Sequence, residues 1–286
     1  MNIINYPMKN LFYFFLLVVS VFSIQSCETN PPNAPVFIGS GHVQLKIKVE
    51  QTPKISVANK LVMLEDFANV SCIPCVASNR VIEAVANSYG PTKLAVVKFP
   101  TNFPSPVDPF YLANKEVCDY KMSPDFYNII VAPTTIVDGT SRLYSLSDST
   151  DLKTVVDQQL ALTPRFSLSV ADSMSGGSYF ISITIGIADT NGISTNDLVL
   201  FTAVTETDIE FSSPPGSNGE TKFYDVLRFL MPDEFGISLS SLIASGEQTI
   251  LYEDAFNSEW NPEKINTVCY IQNPATKEIY QAAKGL

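Results

Sequence analysis

The stretch LEDFANVSCIPCVASNRVIEAV, residues 64 to 85, decides the fold of the first half of the chain. In it, Cys72 and Cys75 lie two residues apart, between an apolar run typical of a buried strand and a run with apolar residues at helical spacing. Pro74 lies where a helix can begin, because a first-turn residue needs no backbone donor. Unpaired N–H groups at a helix start stabilise a thiolate, and a second thiol one turn inside can attack a mixed disulfide. The pattern therefore predicts Cys72 as a nucleophile and Cys75 as the resolving thiol.

Further elements on both sides of the dithiol follow the order strand, helix, strand, insertion, strand, strand, helix. Strands are predicted over 60–67, 94–99 and 142–145, and the run 129–137 predicts another just after Pro133. Helices are predicted over 74–89, 111–121 and 148–162. The insertion, 100–128, is rich in proline and contains Cys118. This βαβ–ββα order predicts an α/β domain that ends near residue 163.

Beyond Pro164 the sequence pattern changes to short alternating strands with polar turns. The runs 166–170 and 179–187 alternate strictly, 198–204 is a further strand, and 249–252 is a candidate partner of 266–272. Such serial strands predict an antiparallel sheet or β-sandwich. We therefore expect two domains, over residues 42–163 and 164–286.

The N-terminal residues predict export and a lipid anchor. A short apolar run without charge, 10–24, follows Lys9 and is too short for a convincing membrane span. It ends in Ile24-Gln25-Ser26-Cys27, which resembles the lipobox of bacterial lipoproteins and implies a lipid on Cys27. The alternative is an ordinary secretory signal with an incidental cysteine. We expect a signal peptide over 1–26, a tether over 27–41, and a lipid-anchored protein of the cell envelope, at the outer membrane.

Composition excludes several classes of function. The chain has 29 acidic and 18 basic residues and a net charge of -11, which argues against nucleic acid as a partner. Its single histidine, His42, excludes a histidine triad and a multi-histidine metal centre. A zinc site at the dithiol would need two more ligands, and only the distant Cys118 and Cys269 remain, so we expect no metal and no cofactor. Those two cysteines either bridge the domains or stay as buried thiols.

Residues 58 to 162 resemble thioredoxin. Asp66 lies six residues before the first cysteine, where that family keeps a buried carboxylate, and Pro74 matches the proline inside the dithiol motif. Lys98, in the strand after the helix, matches the lysine that approaches the carboxylate, and 132–134 (APT) matches the cis-proline loop.

The resemblance implies roles for these residues. Asp66 would accept or relay the Cys75 proton, Lys98 would tune Asp66, and Pro133 with Thr134 would shape the substrate groove. The other interpretations are a solvated Asp66, a surface Lys98 and a trans Pro133. Two departures concern function: Ser71 precedes the dithiol where thioredoxins usually have Trp, and the insertion 100–128 can cover the site.

Later segments resemble the outer-membrane-protein-twenty-eight family of Bacteroidales lipoproteins. The match is carried by 226–228 (VLR), Met231-Pro232 and 272–278 (QNPATKE), together with VMLEDF before the dithiol. It implies a lipid anchor, a thioredoxin-like domain and then an immunoglobulin-like β domain. The segment 222–225 (KFYD) departs from the pattern, because a histidine is expected there.

Two functions follow from these observations, and whether the protein is an enzyme stays open between them. The first is thiol–disulfide exchange with cysteine-containing envelope proteins. The second is a binding or structural lipoprotein of the outer membrane, in which Cys72 and Cys75 form a closed disulfide that adds little stability because its ring is small.

Overall fold

The apolar runs of the sequence form a mixed α/β fold with a nine-stranded sheet, a four-stranded sheet and few helices. The computed structural model describes residues 44–52, 59–189, 191–242 and 247–285. Across these ranges no helix is both long enough and apolar enough to cross a membrane. The helices are α1 (Ile73–Tyr89), α2 (Pro109–Ala113), α3 (Lys115–Met122), α4 (Thr150–Leu160) and α5 (Leu239–Leu242). The strands are β1 (Gln44–Thr52), β2 (Val62–Ala68), β3 (Leu94–Pro100), β4 (Thr134–Val137), β5 (Ser141–Tyr144), β6 (Phe166–Ser175), β7 (Ser178–Ile187), β8 (Val199–Glu206), β9 (Ile209–Glu210), β10 (Lys222–Phe223), β11 (Val226–Met231), β12 (Ile237–Ser238), β13 (Glu247–Ala255), β14 (Ile265–Gln272) and β15 (Ile279–Lys284).

The dithiol stretch lies in the predicted βαβ–ββα order. Strands β2 and β3 are parallel and are connected by α1, β4 runs antiparallel to β2, β5 pairs with β4, and α4 follows. Every residue of β3 is buried, and so is every residue of β2 except its last. Because both faces of these strands are buried, their sequences are nearly continuous apolar runs and do not alternate between apolar and polar residues.

The predicted single helix over 111–121 is wrong, because the chain forms two helices there. Asn114 ends α2 and precedes α3, with a φ of -130° that does not fit a continuous helix. Its side-chain amide donates to the backbone oxygens of Phe110 and Leu227. An asparagine that bonds backbone in this way competes with the helical pattern, which accounts for the break.

The nine-stranded sheet continues from the first half of the sequence into the second. Its order is β15-β14-β8-β11-β3-β2-β4-β5, with β12 paired to β8. The two halves meet where β11 runs parallel to β3, at the pair Val226 and Lys98, and the Lys98 N–H donates to the Asp225 oxygen at 2.8 Å. The domain ranges 42–163 and 164–286 stay a prediction, and one sheet crosses them.

The four-stranded sheet is antiparallel, with the order β1-β13-β7-β6. An apolar core lies between it and the larger sheet, and side chains of both sheets fill it, including Ile183, Tyr252, Val204 and Ile271. The expected pairing of 249–252 with 266–272 is wrong, because β13 belongs to the smaller sheet and β14 to the larger one. Alternation identifies a strand with one buried face but does not say which sheet it joins.

A fully buried lysine, Lys121, links the insertion 100–128 to the large sheet through an ion pair and a hydrogen bond. Lys121 Nζ lies 3.2 Å from Glu65 Oε1 and 3.0 Å from the Tyr270 hydroxyl, and the Tyr127 hydroxyl donates to the other Glu65 oxygen. Burial lowers the pKa of Lys121, while Glu65 opposes that shift. Aromatic rings also surround the ammonium, namely those of Phe99, Phe126, Tyr127, Phe201 and Tyr270.

Candidate dithiol site

The two cysteines are joined in a disulfide at the start of α1. Cys72 precedes the first helical residue and its N–H donates to the Asn69 oxygen, which closes a tight turn after β2. Pro74 occupies the first turn of the helix, as the sequence predicts. The Cα atoms of Cys72 and Cys75 are 5.3 Å apart. Cys75 is fully buried, and Cys72 is only 2 % exposed. The pair is therefore placed at a helix N-terminus, but Cys72, the predicted nucleophile, is largely shielded from solvent in this state.

Asp66 is fully buried on the strand that leads to the dithiol, so it is not a solvated carboxylate. The Thr135 hydroxyl donates to Oδ1 at 3.0 Å, whereas Oδ2 has no hydrogen-bond partner among the described residues. Burial raises the pKa of Asp66 to about 6; Lys98 and Thr135 lower it, and Glu220 raises it. A carboxyl with this pKa can gain or lose a proton near neutral pH, which suits proton transfer to and from a thiol.

Lys98 is also buried, but its direct hydrogen bond goes to an asparagine. Its Nζ donates to Asn79 Oδ1 at 3.1 Å, and Asn79 Nδ2 donates to both carboxylate oxygens of Glu220, at 3.0 and 3.1 Å. Lys98 still acts on Asp66, because its charge lowers that pKa. The interpretation of Lys98 as a surface residue therefore does not hold. Sequence reasoning did not assign Asn79 or Glu220 to this site, and Glu220 lies far from the dithiol in the sequence, in an acidic stretch of the second half that was interpreted as solvated.

A small cavity of about 30 Å³, lined by more apolar than polar residues, adjoins Lys98 and Asn79. Its polar lining comprises Asn69, Asn79, Lys98, Asp108 and Glu220. This volume has room for about one or two water molecules.

The insertion holds the segment before the dithiol from one side. Asp108 caps α2 by accepting from the N–H groups of Phe110 and Tyr111, and its other oxygen accepts from Val70 N at 2.8 Å. Burial raises the pKa of Asp108 to about 6, against these three backbone hydrogen bonds. Asn69 Nδ2 donates to the backbone oxygens of Thr101 and Ser105.

A second segment holds the same residues from the other side, and we name 216–220 the strap. Ser217 N donates to the Ser71 hydroxyl at 3.2 Å, and Asn218 N donates to the Val70 oxygen at 3.2 Å. Asn218 Nδ2 lies 3.5 Å from the Cys72 oxygen. A Cβ added to Gly216 would lie 2.3 Å from the Val70 oxygen, so only glycine allows this approach. Ser71, the departure from thioredoxin, is therefore a contact of the strap.

Pro133 and Thr134 lie at the same end of the sheet as the dithiol turn. The Ala132–Pro133 peptide bond is cis, as predicted. Thr134 begins β4 opposite Phe67, one residue before the end of β2, and its hydroxyl donates to the Val131 oxygen at 2.7 Å. Large apolar side chains are exposed near this end, namely Ile73, Ile130 and Val131. Their role as a substrate groove stays a prediction.

Cys118 and Cys269 are free and fully buried, so the expected alternative of a bridge between them is wrong and the alternative of buried thiols holds. Burial raises the pKa of both thiols, well above the ordinary value for Cys118. Among the described residues, no group of three His, Cys, Asp or Glu side chains is placed to hold a metal ion. Cys27 and His42 lie outside the described residues.

Comparison with solved structures supports the fold. No family model matches the chain, and no curated protein matches it either. HBP35 of Porphyromonas gingivalis matches with a TM-score of 0.66 and 13 % identity, over 79 % of this chain and 74 % of that one. A crystal structure of a protein from Agrobacterium tumefaciens matches with a TM-score of 0.50 and 12 % identity, over 79 % of this chain and 93 % of that one.

A domain of the outer membrane lipoprotein Omp28 from Porphyromonas gingivalis also matches, over 43 % of this chain and 88 % of that one. Its identity is 12 % and its TM-score of 0.28 is too low to support a shared fold. The likeness to the first two structures shows a common mixed α/β fold and, at these identities, nothing about activity.

Proposed function

We propose that this chain is a lipid-anchored envelope protein that exchanges disulfides with cysteine-containing envelope proteins through Cys72 and Cys75. One observation carries the proposal: a disulfide at a helix N-terminus follows a strand that carries the fully buried Asp66. One oxygen of this carboxyl has no hydrogen-bond partner in the part of the chain that the structure describes. A structural disulfide has no need of a buried carboxyl with a pKa near 6, whereas exchange needs a proton donor and acceptor.

The exchange step can be written from the observed disulfide. A thiolate of the partner attacks Cys72 Sγ, the Cys72–Cys75 bond breaks, and the Cys75 sulfur leaves with the electron pair. Asp66, protonated in part near pH 6, supplies the proton to Cys75. A second thiolate of the partner then attacks the mixed disulfide and releases Cys72. The dithiol gains two electrons and the partner gains a disulfide, and the same steps reversed reduce a partner.

The finer assignments of fold and family support this role. The parallel β2–α1–β3 unit, the antiparallel β4 and β5 and the cis Pro133 are consistent with a thioredoxin-like domain. The two-sheet core of the second half is consistent with an immunoglobulin-like β domain of the outer-membrane-protein-twenty-eight type. Exposed Ile73, Ile130 and Val131 offer an apolar surface for an extended segment of the partner, beside Pro133 and Thr134.

A different observation favours a second candidate function. Cys72 is 2 % exposed, and the segment before it is held by both Asp108 and the strap. A shielded disulfide of this kind also fits a non-enzymatic binding or structural lipoprotein. The two functions differ in one property, which is whether the disulfide exchanges with a protein substrate while the chain is folded.

Insulin reduction and trapping test the exchange function. The folded protein should catalyse insulin reduction by dithiothreitol, and Cys72→Ser should abolish this. Cys75→Ser should accumulate mixed disulfides with envelope proteins, whereas the double Cys72→Ser/Cys75→Ser variant is the matched control and should trap none. If wild-type protein does not reduce insulin and Cys75→Ser traps no partner, the non-enzymatic function with a closed disulfide is favoured.

The lipid anchor has its own test. Wild-type protein expressed in a lipoprotein-processing bacterium should carry a diacylglyceryl group on Cys27 and fractionate with membranes. Cys27→Ser should remove the lipid and release the protein. Intact-mass measurement of the N-terminal peptide gives the result, and an unmodified cysteine there contradicts the anchor.

A further inference from the structure

One charged residue at the dithiol site comes from the strap rather than from the segment that resembles thioredoxin. Glu220 is half-buried, and its carboxylate accepts from Asn79 Nδ2 at 3.0 and 3.1 Å and from Asn218 Nδ2 at 2.7 Å. Its own N–H donates to Asn218 Oδ1 at 2.9 Å. These hydrogen bonds fix the carboxylate at the wall of the 30 Å³ cavity, which Lys98 also lines.

We propose that Glu220 is a positioning residue of the dithiol site: it orients the Asn79 amide that binds Lys98, and its carboxylate competes with Asp66 for that one cation. Asn79 Oδ1 can accept from Lys98 Nζ only if Asn79 Nδ2 faces away from the lysine. Glu220 stabilises this orientation because its carboxylate accepts the hydrogen bond from Nδ2. The influence of this arrangement on exchange rests on the proposed function, but its influence on the dithiol equilibrium does not.

The charges around Lys98 explain why one carboxylate matters. Asp66 and Asp108 are buried, and Glu220 raises the pKa of Asp66, in the opposite direction to Lys98. Burial raises the pKa of Glu83, which Lys98 lowers and Glu220 raises. Asp225 and Arg80 also act on Glu83, with opposite signs. Carboxylates therefore outnumber cations here, and losing one should change the field felt by the rest.

Replacing Glu220 by Gln should keep an acceptor for Asn79 while removing the charge. Lys98 then acts more fully on Asp66 and on the thiolates of the reduced dithiol, so the reduced form becomes more stable. We expect the equilibrium with a reference thiol pair to shift about 3- to 10-fold towards the reduced form. The pH at which this equilibrium changes slope should fall for the same reason.

The experiment equilibrates folded wild-type protein and variants with reduced and oxidised dithiothreitol from pH 5 to 8. Acid quenching, alkylation and mass spectrometry then give the fraction of Cys72–Cys75 disulfide. Glu220→Asp keeps the charge and should return towards wild type. Glu259→Gln removes the same charge from an exposed position and should match wild type. Asn79→Ser removes the hydrogen bond that Lys98 Nζ donates to Asn79. This variant should shift the equilibrium in the same direction as Glu220→Gln, and it therefore tests the same arrangement independently.

The outcomes separate this inference from the proposed function. Curves for Glu220→Gln and Asn79→Ser that overlie those of wild type and Glu259→Gln would overturn the positioning role, even if wild-type protein reduces insulin. A shifted equilibrium in Glu220→Gln, restored by Glu220→Asp, would support that role even if wild-type protein fails to reduce insulin.

Discussion

Val226 of β11 lies opposite Lys98 of β3, and this parallel pair joins the two halves of the large sheet. The same Lys98 carries the buried ammonium of the dithiol site. The backbone of Lys98 therefore pairs with the second half of the chain, while its side chain belongs to the dithiol site in the first half. Because strand pairing and site share one residue, we expect displacement of β11 to move the cation that acts on Asp66.

The four cysteines of the described residues should differ sharply in reactivity. After mild reduction at neutral pH, Cys72 should alkylate, whereas Cys118 and Cys269 should stay unlabelled because both are fully buried and their pKa values are raised. Peptide mapping after treatment with iodoacetamide measures this, and a sample unfolded in guanidinium is the control in which all four react. Labelling of Cys118 in folded protein at the rate of Cys72 would contradict the burial described for it.

The strap should control how fast the disulfide is reached. Gly216→Ala places a Cβ against the Val70 oxygen, so the strap must move away from the segment that precedes Cys72. We expect reduction of the disulfide by a small thiol to become several-fold faster, measured by the appearance of free thiol under native conditions. Ser217→Ala is the matched control, because it removes only a weak contact of 3.5 Å with the Ser71 oxygen. Equal reduction rates in all three proteins would show that the strap does not limit access.

Asp66→Asn should stabilise the folded protein at pH 7. The folded pKa of about 6 lies above the ordinary value of 3.8, so between these pH values the native carboxyl holds a proton that the unfolded one has released. The contribution of Asp66 to the free energy of unfolding therefore falls as pH rises from 3.8 to about 6, because the buried carboxyl must then lose its proton in the folded state. Above pH 6 this destabilisation is complete.

We expect the substitution to add about 2 to 3 kcal/mol to the free energy of unfolding above pH 6 and almost nothing below pH 4. Urea unfolding at several pH values measures this. The exposed Asp197→Asn should show no such dependence. A gain that does not change with pH would mean that Asp66 is not the titrating group.

Lys121→Met should destabilise the protein strongly, because it leaves the buried Glu65 charge without its cation. A loss of roughly 3 to 5 kcal/mol in the free energy of unfolding is typical of such a change. Adding Glu65→Gln removes the second charge and keeps acceptors for the tyrosine hydroxyls, so most of the loss should be recovered. Denaturant titrations of the two single variants and the double variant form the cycle, and simple additivity would refute coupling between the two residues.

Local pattern predicted the first half of the fold well. Strand β2, helix α1 and strand β3 each have a continuous or periodic apolar run, and Pro74 marks the helix start. The break at Asn114 was not predictable in this way, since it depends on a hydrogen bond to Leu227, more than a hundred residues away. The partners of β13 and β14 were missed for a related reason: period-two alternation is the same in either sheet.

The site was only partly predictable from the sequence. Spacing and resemblance pointed to Asp66, Lys98 and the cysteines, all of which lie within one segment. The sequence did not predict Glu220 and Gly216 as parts of the dithiol site, because their loop reaches the site only through tertiary packing and neither residue lies in a recognisable motif. Ser71 was noted as a departure, and its contact with Ser217 gives that departure a structural reason.

The parallel contact between β3 and β11 has a consequence for protein engineering. A fragment of residues 59–163, transplanted into another protein, would contain both cysteines and Asp66. It would lack Glu220, and its β3 would present bare N–H and C=O groups where β11 now pairs. Such an unpaired edge recruits strands from other chains. The smallest fragment that preserves this dithiol site therefore extends well beyond the segment that resembles thioredoxin. A minimal dithiol module derived from this protein should retain β11 together with the strap.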